Sequence, residues 1–195
     1  MYARYVKRVL DIIISAALLI LLALPFAFIA VIIRLDSKGK VFFLQKRRGL
    51  GGREFTIIKF RTMKTDAPRE TATHLLKSSA YITRVGRYLR VSSVDELPQI
   101  INILKGDMSF VGFRPCILSE EELHEARISS GAYAVRPGIT GLAQIRGRDL
   151  LDDTRKAQYD GIYARNVSFG YDFRILMRTF FTVFAKDGYK EGEMQ

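Results

Sequence analysis

Asp95 and Glu96 stand side by side in the stretch Ser92-Ser93-Val94-Asp95-Glu96-Leu97-Pro98-Gln99. A basic run, Arg84, Arg87 and Arg90, precedes them, and an apolar run, Ile100, Ile101, Ile103 and Leu104, follows. Carboxylates and arginines gathered at a helix start suit phosphate chemistry, because the free backbone N–H groups there attract anions. Pro98 indicates where that helix begins. With Ser93 as N-cap, the proline would fall in the helix interior, where it loses a bond and clashes with the preceding turn. With a start near Asp95 it falls in the first turn, where no N–H is needed. The plain alternative is capping: Ser93-x-x-Glu96 has the form of a capping box.

Further basic candidates lie on either side. Lys59 and Arg61 close a strand-like run. Arg114 stands among turn formers in Gly112-Phe113-Arg114-Pro115, and a planar guanidinium binds phosphate bidentately. The stretch from Val135 to Asp149 is rich in glycine and arginine and reads as a loop, with Arg136, Gln144, Arg146 and Arg148 as candidate phosphate-binding residues. Solvated surface charge is the competing explanation for each.

The elements that must position these residues read as α+β and mostly helical. Val41–Leu44 and Phe55–Phe60 are short strands joined through Gly49-Leu50-Gly51-Gly52 into a β-hairpin. Residues 65–80 are polar and read as loop with a short helix. Ile82, Val85 and Leu89 recur at helical spacing with arginines between, an amphipathic pattern that fits a membrane interface or a core-facing helix. Gly106 is a C-cap candidate. Residues 119–129 read as a charged, solvent-facing helix, residues 152–165 as a polar helix, and Phe173–Phe184 as an apolar helix that packs on the core or enters the interface. The organisation expected is a membrane segment with its flanks at 1–40, a catalytic domain at 41–185 and a polar tail at 186–195.

The membrane segment is Ile12–Ile33, 22 residues without a charge, long enough to span a bilayer. Pro25 interrupts it. Basic residues flank both ends: Arg4, Lys7 and Arg8 before, Arg34, Lys38 and Lys40 after. Such flanks favour the cytoplasm, so a re-entrant helix bent at Leu24-Pro25 and a kinked spanning helix both remain open.

Composition narrows the chemistry. Lys and Arg outnumber Asp and Glu by 31 to 20 in 195 residues, a net +11 that calls for an anionic partner. One cysteine excludes an intrachain disulfide, and two histidines with that cysteine exclude a zinc site of several His and Cys ligands. No glycine-rich nucleotide loop is present.

Lys59-Phe60-Arg61-Thr62-Met63, Asp95-Glu96-Leu97-Pro98-Gln99, Leu104 to Gly112, Arg114-Pro115 and Val135 to Arg148 together resemble the small monotopic phosphoglycosyl transferases, the bacterial sugar transferase family, in order and spacing from about residue 4 to residue 185. The resemblance implies an enzyme at the cytoplasmic face of the inner membrane. It would move a sugar 1-phosphate from a UDP-sugar to polyprenol phosphate, release UMP and open a bacterial glycan pathway. It also implies a re-entrant helix, Asp95 as nucleophile and Mg²⁺ ligand, and Glu96 in metal positioning or proton handling. Phosphate would fall to Lys59, Arg90, Arg114 and the arginines of the glycine-rich stretch. Membrane phospholipid is an expected partner and nucleic acid is not. The chain departs from the family pattern at Leu24, Phe113 and Leu142. Two other readings use the same residues: a non-catalytic basic adaptor tethered to a membrane, and a UDP-sugar hydrolase that lets water attack at Asp95.

Overall fold

A computed structural model describes residues 1–67, 81–147 and 150–185. Residues 68–80 of the polar stretch, Arg148 and the 186–195 tail lie outside the described residues. The described chain is mostly helical, with two small two-stranded sheets.

A π-helical turn, Tyr2–Val6, leads into α1 (Lys7–Leu21), and α2 (Ala23–Asp36) follows. No single helix among the described residues is long and apolar enough to cross a membrane. The pair Tyr2–Leu21 and Ala23–Asp36 passes that test together, bent by 60°. The break lies at Leu22 (φ −89°, ψ 0°), not at the expected Leu24-Pro25. A proline acts on the turn before it, through its missing N–H and its ring against the carbonyl four residues earlier. That carbonyl is Leu21. Pro25 itself sits in the first turn of α2, where its N–H is not missed.

Both arms of the bend are fastened to the same body. At the base of α1, Lys7 Nζ meets Asp172 Oδ2 at 2.6 Å, and the Tyr2 hydroxyl donates to the same oxygen at 2.8 Å. Arg8 donates to the carbonyls of Ile103 and Leu104 at 2.6 and 2.9 Å. At the far end of α2, Ile33 is 2% exposed and packs with Phe60 and Leu89. Arg61 donates to the carbonyls of Ser37 and Lys38 at 2.6 and 2.7 Å, holding the chain as it leaves the helix.

The hairpin forms as its alternation requires. Strand β1 (Phe42–Arg48) pairs antiparallel with β2 (Glu54–Phe60), and Gly51 supplies a positive φ of 63° in the turn. β1 runs further than the aromatic segment suggests, through Lys46, Arg47 and Arg48. Successive side chains alternate between faces. Ile57 and Lys59 therefore share one face, where Ile57 packs with Ile103 and Met108. Phe60 points to the other and joins Ile33. The register opposes Arg47 to Phe55 and Gln45 to Ile57, which puts Arg47 on the Lys59 face.

Helix α3 (Arg84–Val91) starts at Thr83, whose side chain accepts from Gly86 N. Gly86 lies against the Thr62 carbonyl, a close approach that leaves no room for a side chain. Helix α4 (Gln99–Lys105) ends at Gly106, φ 97°, as expected. Asn102 of α4 is wholly buried: its Oδ1 accepts from Ile58 N at 3.0 Å and its Nδ2 donates to the Thr56 carbonyl at 2.7 Å. It thereby serves as an edge partner for β2.

Strand β3 (Ser109–Val111) lies parallel to β4 (Gly138–Thr140). The glycine-arginine stretch expected as loop is instead this strand followed by α6 (Leu142–Arg146). Pro137 O accepts from Ser109 N and Gly112 N donates to Thr140 O, so ladder bonds with β3 supply order that local composition does not. The crossover contains α5 (Glu121–Ser130), which is not wholly solvent-facing. Leu123 and Arg127 turn inward. Arg127 meets Asp160 of α7 (Asp153–Arg165) at 2.8 Å and lies 4.9 Å over the Phe113 ring. A charge is buried there because it has a partner. Leu142 packs with Tyr163 and with Ile175 of α8 (Phe169–Ala185).

Asn102→Ala should lower stability by about 1–3 kcal/mol, because it strips hydrogen-bond partners from two β2 backbone groups. Equilibrium denaturation in detergent measures it; an unchanged midpoint would show the strand edge to be satisfied by other means.

Candidate active site

The chain between α3 and α4 is a short irregular bridge, and it carries the carboxylates. Ser93 has φ 56°, the sole positive-φ non-glycine among the described residues. Such a backbone costs energy for a residue with a Cβ. It turns the chain out of α3 and into a 3₁₀ turn, Val94–Glu96. Pro98 then precedes α4 as its N-cap residue. The carboxylates thus lie before the helix rather than in its first turn, and Ser93 makes no side-chain cap bond. The expected capping box is absent: the left-handed Ser93 turn, not a cap, sets the local path.

The two carboxylates have different neighbours. Glu96 Oε1 meets Lys59 Nζ at 2.7 Å and Arg114 Nη2 at 3.0 Å. Burial would raise its pKa, but Arg114 and Lys59 outweigh that and hold Glu96 well below the usual carboxylate range. Asp95 has no hydrogen bond or ion pair among the described residues. Burial pushes its pKa up to about 6, Glu96 adds to the rise, and Lys59, Arg90 and Arg114 restrain it. One environment fixes a permanent anion and the next residue is left with a free carboxylate. Such a separation leaves the two neighbouring acids with different proton affinities.

Of the residues expected at the site, Lys59, Arg90, Asp95, Glu96 and Arg114 come together. Arg90 Nε donates to Thr62 Oγ1 at 2.9 Å, which ties α3 to the segment after β2 while its charge acts on Asp95. Phe113, where the chain departs from the family pattern, is fully buried against Tyr133. Its packing anchors the turn that presents Arg114 to Glu96.

The glycine-rich stretch is used differently. Arg136 Nε donates to the Gly106 carbonyl at 2.8 Å, which caps the end of α4. Gln144 Nε2 donates to the Ile139 carbonyl at 2.8 Å, a local brace for β4. Arg146 is exposed on α6. The signals that sequence reading missed are Arg47 and Gln99, which line a small cleft with Lys59 and Arg114. Strand alternation from Lys59 through the hairpin register would have found Arg47.

Among the described residues no three His, Cys, Asp or Glu side chains gather as a metal cage. Mg²⁺ keeps several waters and takes one or two carboxylates together with substrate phosphates. The unengaged Asp95 carboxylate fits an ion shared with a substrate.

Residues 2–186 match the family described as bacterial sugar transferase. The UDP-glucose:undecaprenyl-phosphate glucose-1-phosphate transferase of Caulobacter vibrioides is 41% identical over 182 residues, which cover 89% of this chain and 67% of that protein. An uncharacterised sugar transferase of Bacillus subtilis is 38% identical, covering 95% and 90%. The UDP-N-acetylgalactosamine-undecaprenyl-phosphate N-acetylgalactosaminephosphotransferase of Aeromonas hydrophila is 38% identical; the match covers 94% of this chain and 45% of that longer protein.

Because its pKa is raised, Asp95 binds its proton more tightly in the folded chain than in the unfolded one. Folding stability therefore falls as pH rises from the ordinary carboxylate range through about 6. In metal-free buffer, Asp95→Asn should match the parent in Tm below pH ~4 and exceed it by a few degrees above pH ~7. A Tm difference independent of pH would contradict the raised pKa.

Proposed function

The chain belongs to the bacterial sugar transferase family, and on that premise we propose that it transfers a sugar 1-phosphate from a UDP-sugar to polyprenol phosphate and releases UMP. The relatives' named reactions support the substrate classes. The observation that carries the residue assignment is the split between Glu96, held by Lys59 and Arg114, and Asp95, left free.

In this reading an Asp95 carboxylate oxygen attacks the β-phosphorus of the UDP-sugar. The bond from that phosphorus to the bridging oxygen breaks, and UMP leaves with the electron pair. A phosphate oxygen of polyprenol phosphate then attacks the phosphosugar-aspartate and frees Asp95. Covalent catalysis divides one hard transfer into two steps. Asp95 must be ionised to attack, which a pKa of about 6 permits at neutral pH. Glu96 holds the Lys59 ammonium and the Arg114 guanidinium beside it, and these donors face the charge on the phosphoryl oxygens. Arg114 is half exposed at 54%, so its outer edge faces solvent while Glu96 holds its inner one. Mg²⁺ held by Asp95 and the diphosphate would neutralise anionic charge between nucleophile and substrate.

The membrane placement belongs to the same proposal: monotopic, at the cytoplasmic face of the inner membrane. Both ends of the bent helix pair dock on one body, through Arg8 on α4 and Ile33 against Phe60. A helix crossing the bilayer would separate its ends by about 30 Å. Leu24 and Phe28 on α2 after the bend, and Phe173 and Phe181 on α8, are exposed apolar side chains suited to lipid. The net charge of +11 favours an anionic surface.

The deciding experiment offers nanodisc-held protein a panel of UDP-sugars with Mg²⁺ and no acceptor. About one UMP per enzyme is expected, with a matching phosphosugar mass on the peptide that contains Asp95. Asp95→Asn should lose both. Full turnover by that variant would refute the nucleophile, sustained UMP release by the parent would favour the hydrolase, and salt-sensitive binding without any turnover would favour the adaptor. For topology, tags at residues 1 and 195 should be accessible from the same side of the membrane; tags on opposite sides would establish a kinked span.

A further inference from the structure

A cleft of about 20 Å³ opens between the hairpin and α4, beside the carboxylate bridge. It is lined by Arg47, Ile57, Lys59, Gln99, Arg114 and Pro115. That volume holds one water-sized occupant. One polar atom of the lining residues has no hydrogen-bond partner among the described residues. Arg47 is held in place by bonds from Nη1 to the Pro115 carbonyl (3.2 Å) and from Nη2 to Gln45 Oε1 (2.6 Å), while its Nε is buried and makes no hydrogen bond. Gln99 lines the same cleft from the start of α4 and is 2% exposed. A buried donor without a partner costs free energy. Its retention beside a reactive carboxylate points to an occupant that supplies the missing acceptor.

The charge of the lining selects that occupant. Arg47, Lys59 and Arg114 form three of the walls, and Glu96 engages the last two. An oxygen-sized guest bearing negative charge satisfies Arg47, lies against Gln99 and finds donors already oriented. We propose that this cleft seats a single phosphoryl oxygen of a bound substrate, with the Arg47 Nε–H and the Gln99 amide as its donors. The proposal deepens the transferase reading and rests on it for the identity of the substrates. Arg47 and Gln99 thereby become substrate-binding residues, one delivered by the hairpin register and the other by its place four residues after Asp95.

The oxygen comes from the nucleotide's diphosphate or from the polyprenol phosphate, and the test separates the two. Gln99→Leu and Arg47→Met are prepared in nanodiscs. Titration with UMP and with inorganic pyrophosphate is read by calorimetry, and the acceptor KM is measured with undecaprenyl phosphate. A loss of about tenfold or more in UMP and pyrophosphate affinity, equivalent to 1.4 kcal/mol, supports a nucleotide oxygen. A comparable rise in acceptor KM alone supports the lipid phosphate. In either case Gln99→Leu should keep or raise the parent Tm, because it replaces a buried polar side chain with an apolar one of similar size. Parent values for all three ligands in both variants would overturn the proposal and leave the cleft to a structural water. A Tm lowered in step with lost binding would overturn it as well, since the role would then be structural. If the parent binds pyrophosphate through Gln99 yet releases no UMP from any UDP-sugar, the transferase reading fails and the anion seat stands.

Discussion

The bridge from Lys59 through Glu96 to Arg114 is the contact on which the site depends. It joins three separate segments: the second strand of the hairpin, the 3₁₀ turn after α3, and the turn after β3. Lys59 and Glu96 would each be costly at their places alone, because burial opposes ionisation. Together they satisfy one another and fix donor positions before any substrate arrives. The consequence reaches the neighbouring residue. With the local cations committed to Glu96, burial dominates at Asp95 and its proton is held to about pH 6. A single ion-pair network thus sets the ionisation of two adjacent acids in opposite directions.

The bent apolar helix pair is built around that network and not merely attached to it. Arg8, at the base of α1, bonds the last carbonyls of α4, and α4 begins directly after the carboxylate bridge. Arg61, two residues after Lys59, holds the exit of α2. Orphan carbonyls at helix ends need donors, and arginines supply them at both places. The same short segments therefore bear the carboxylate bridge and the fastenings of the bent helix. The height of the bend relative to Asp95 is fixed by hydrogen bonds of ordinary length.

Behind the site, the supporting layer also relies on paired charge. Arg127 and Asp160 are 2% and 1% exposed and bridge α5 to α7, with the guanidinium on the face of Phe113. Phe113 adjoins Arg114. Aromatic packing on one side and an ion pair on the other hold that turn in register. Asp172 plays a similar part for α8, gathering Lys7, Tyr2 and the buried Tyr163 hydroxyl on its two oxygens. Long-range polar contacts of this kind fix the relative places of helices that share little apolar surface.

By itself the sequence determined what is local. Strand alternation and the glycine turn defined the hairpin, Gly106 marked a helix end, and an uncharged run around Pro25 marked a broken apolar segment. The motif stretches also brought out five residues that the fold assembles: Lys59, Arg90, Asp95, Glu96 and Arg114. Tertiary structure decided the rest. The bend moved to Leu22 because a proline disturbs the turn before it. The stretch after Val135 became a strand and a helix because ladder bonds to β3 ordered it. Arg136 and Gln144 were drawn to backbone carbonyls, and Arg127 was buried against a partner 33 residues away. Which of two adjacent carboxylates is engaged, and which is left free, depends on cations from distant segments. No spacing within Asp95-Glu96 can reveal that, because the distinction arises only when the hairpin and the Arg114 turn close over the bridge.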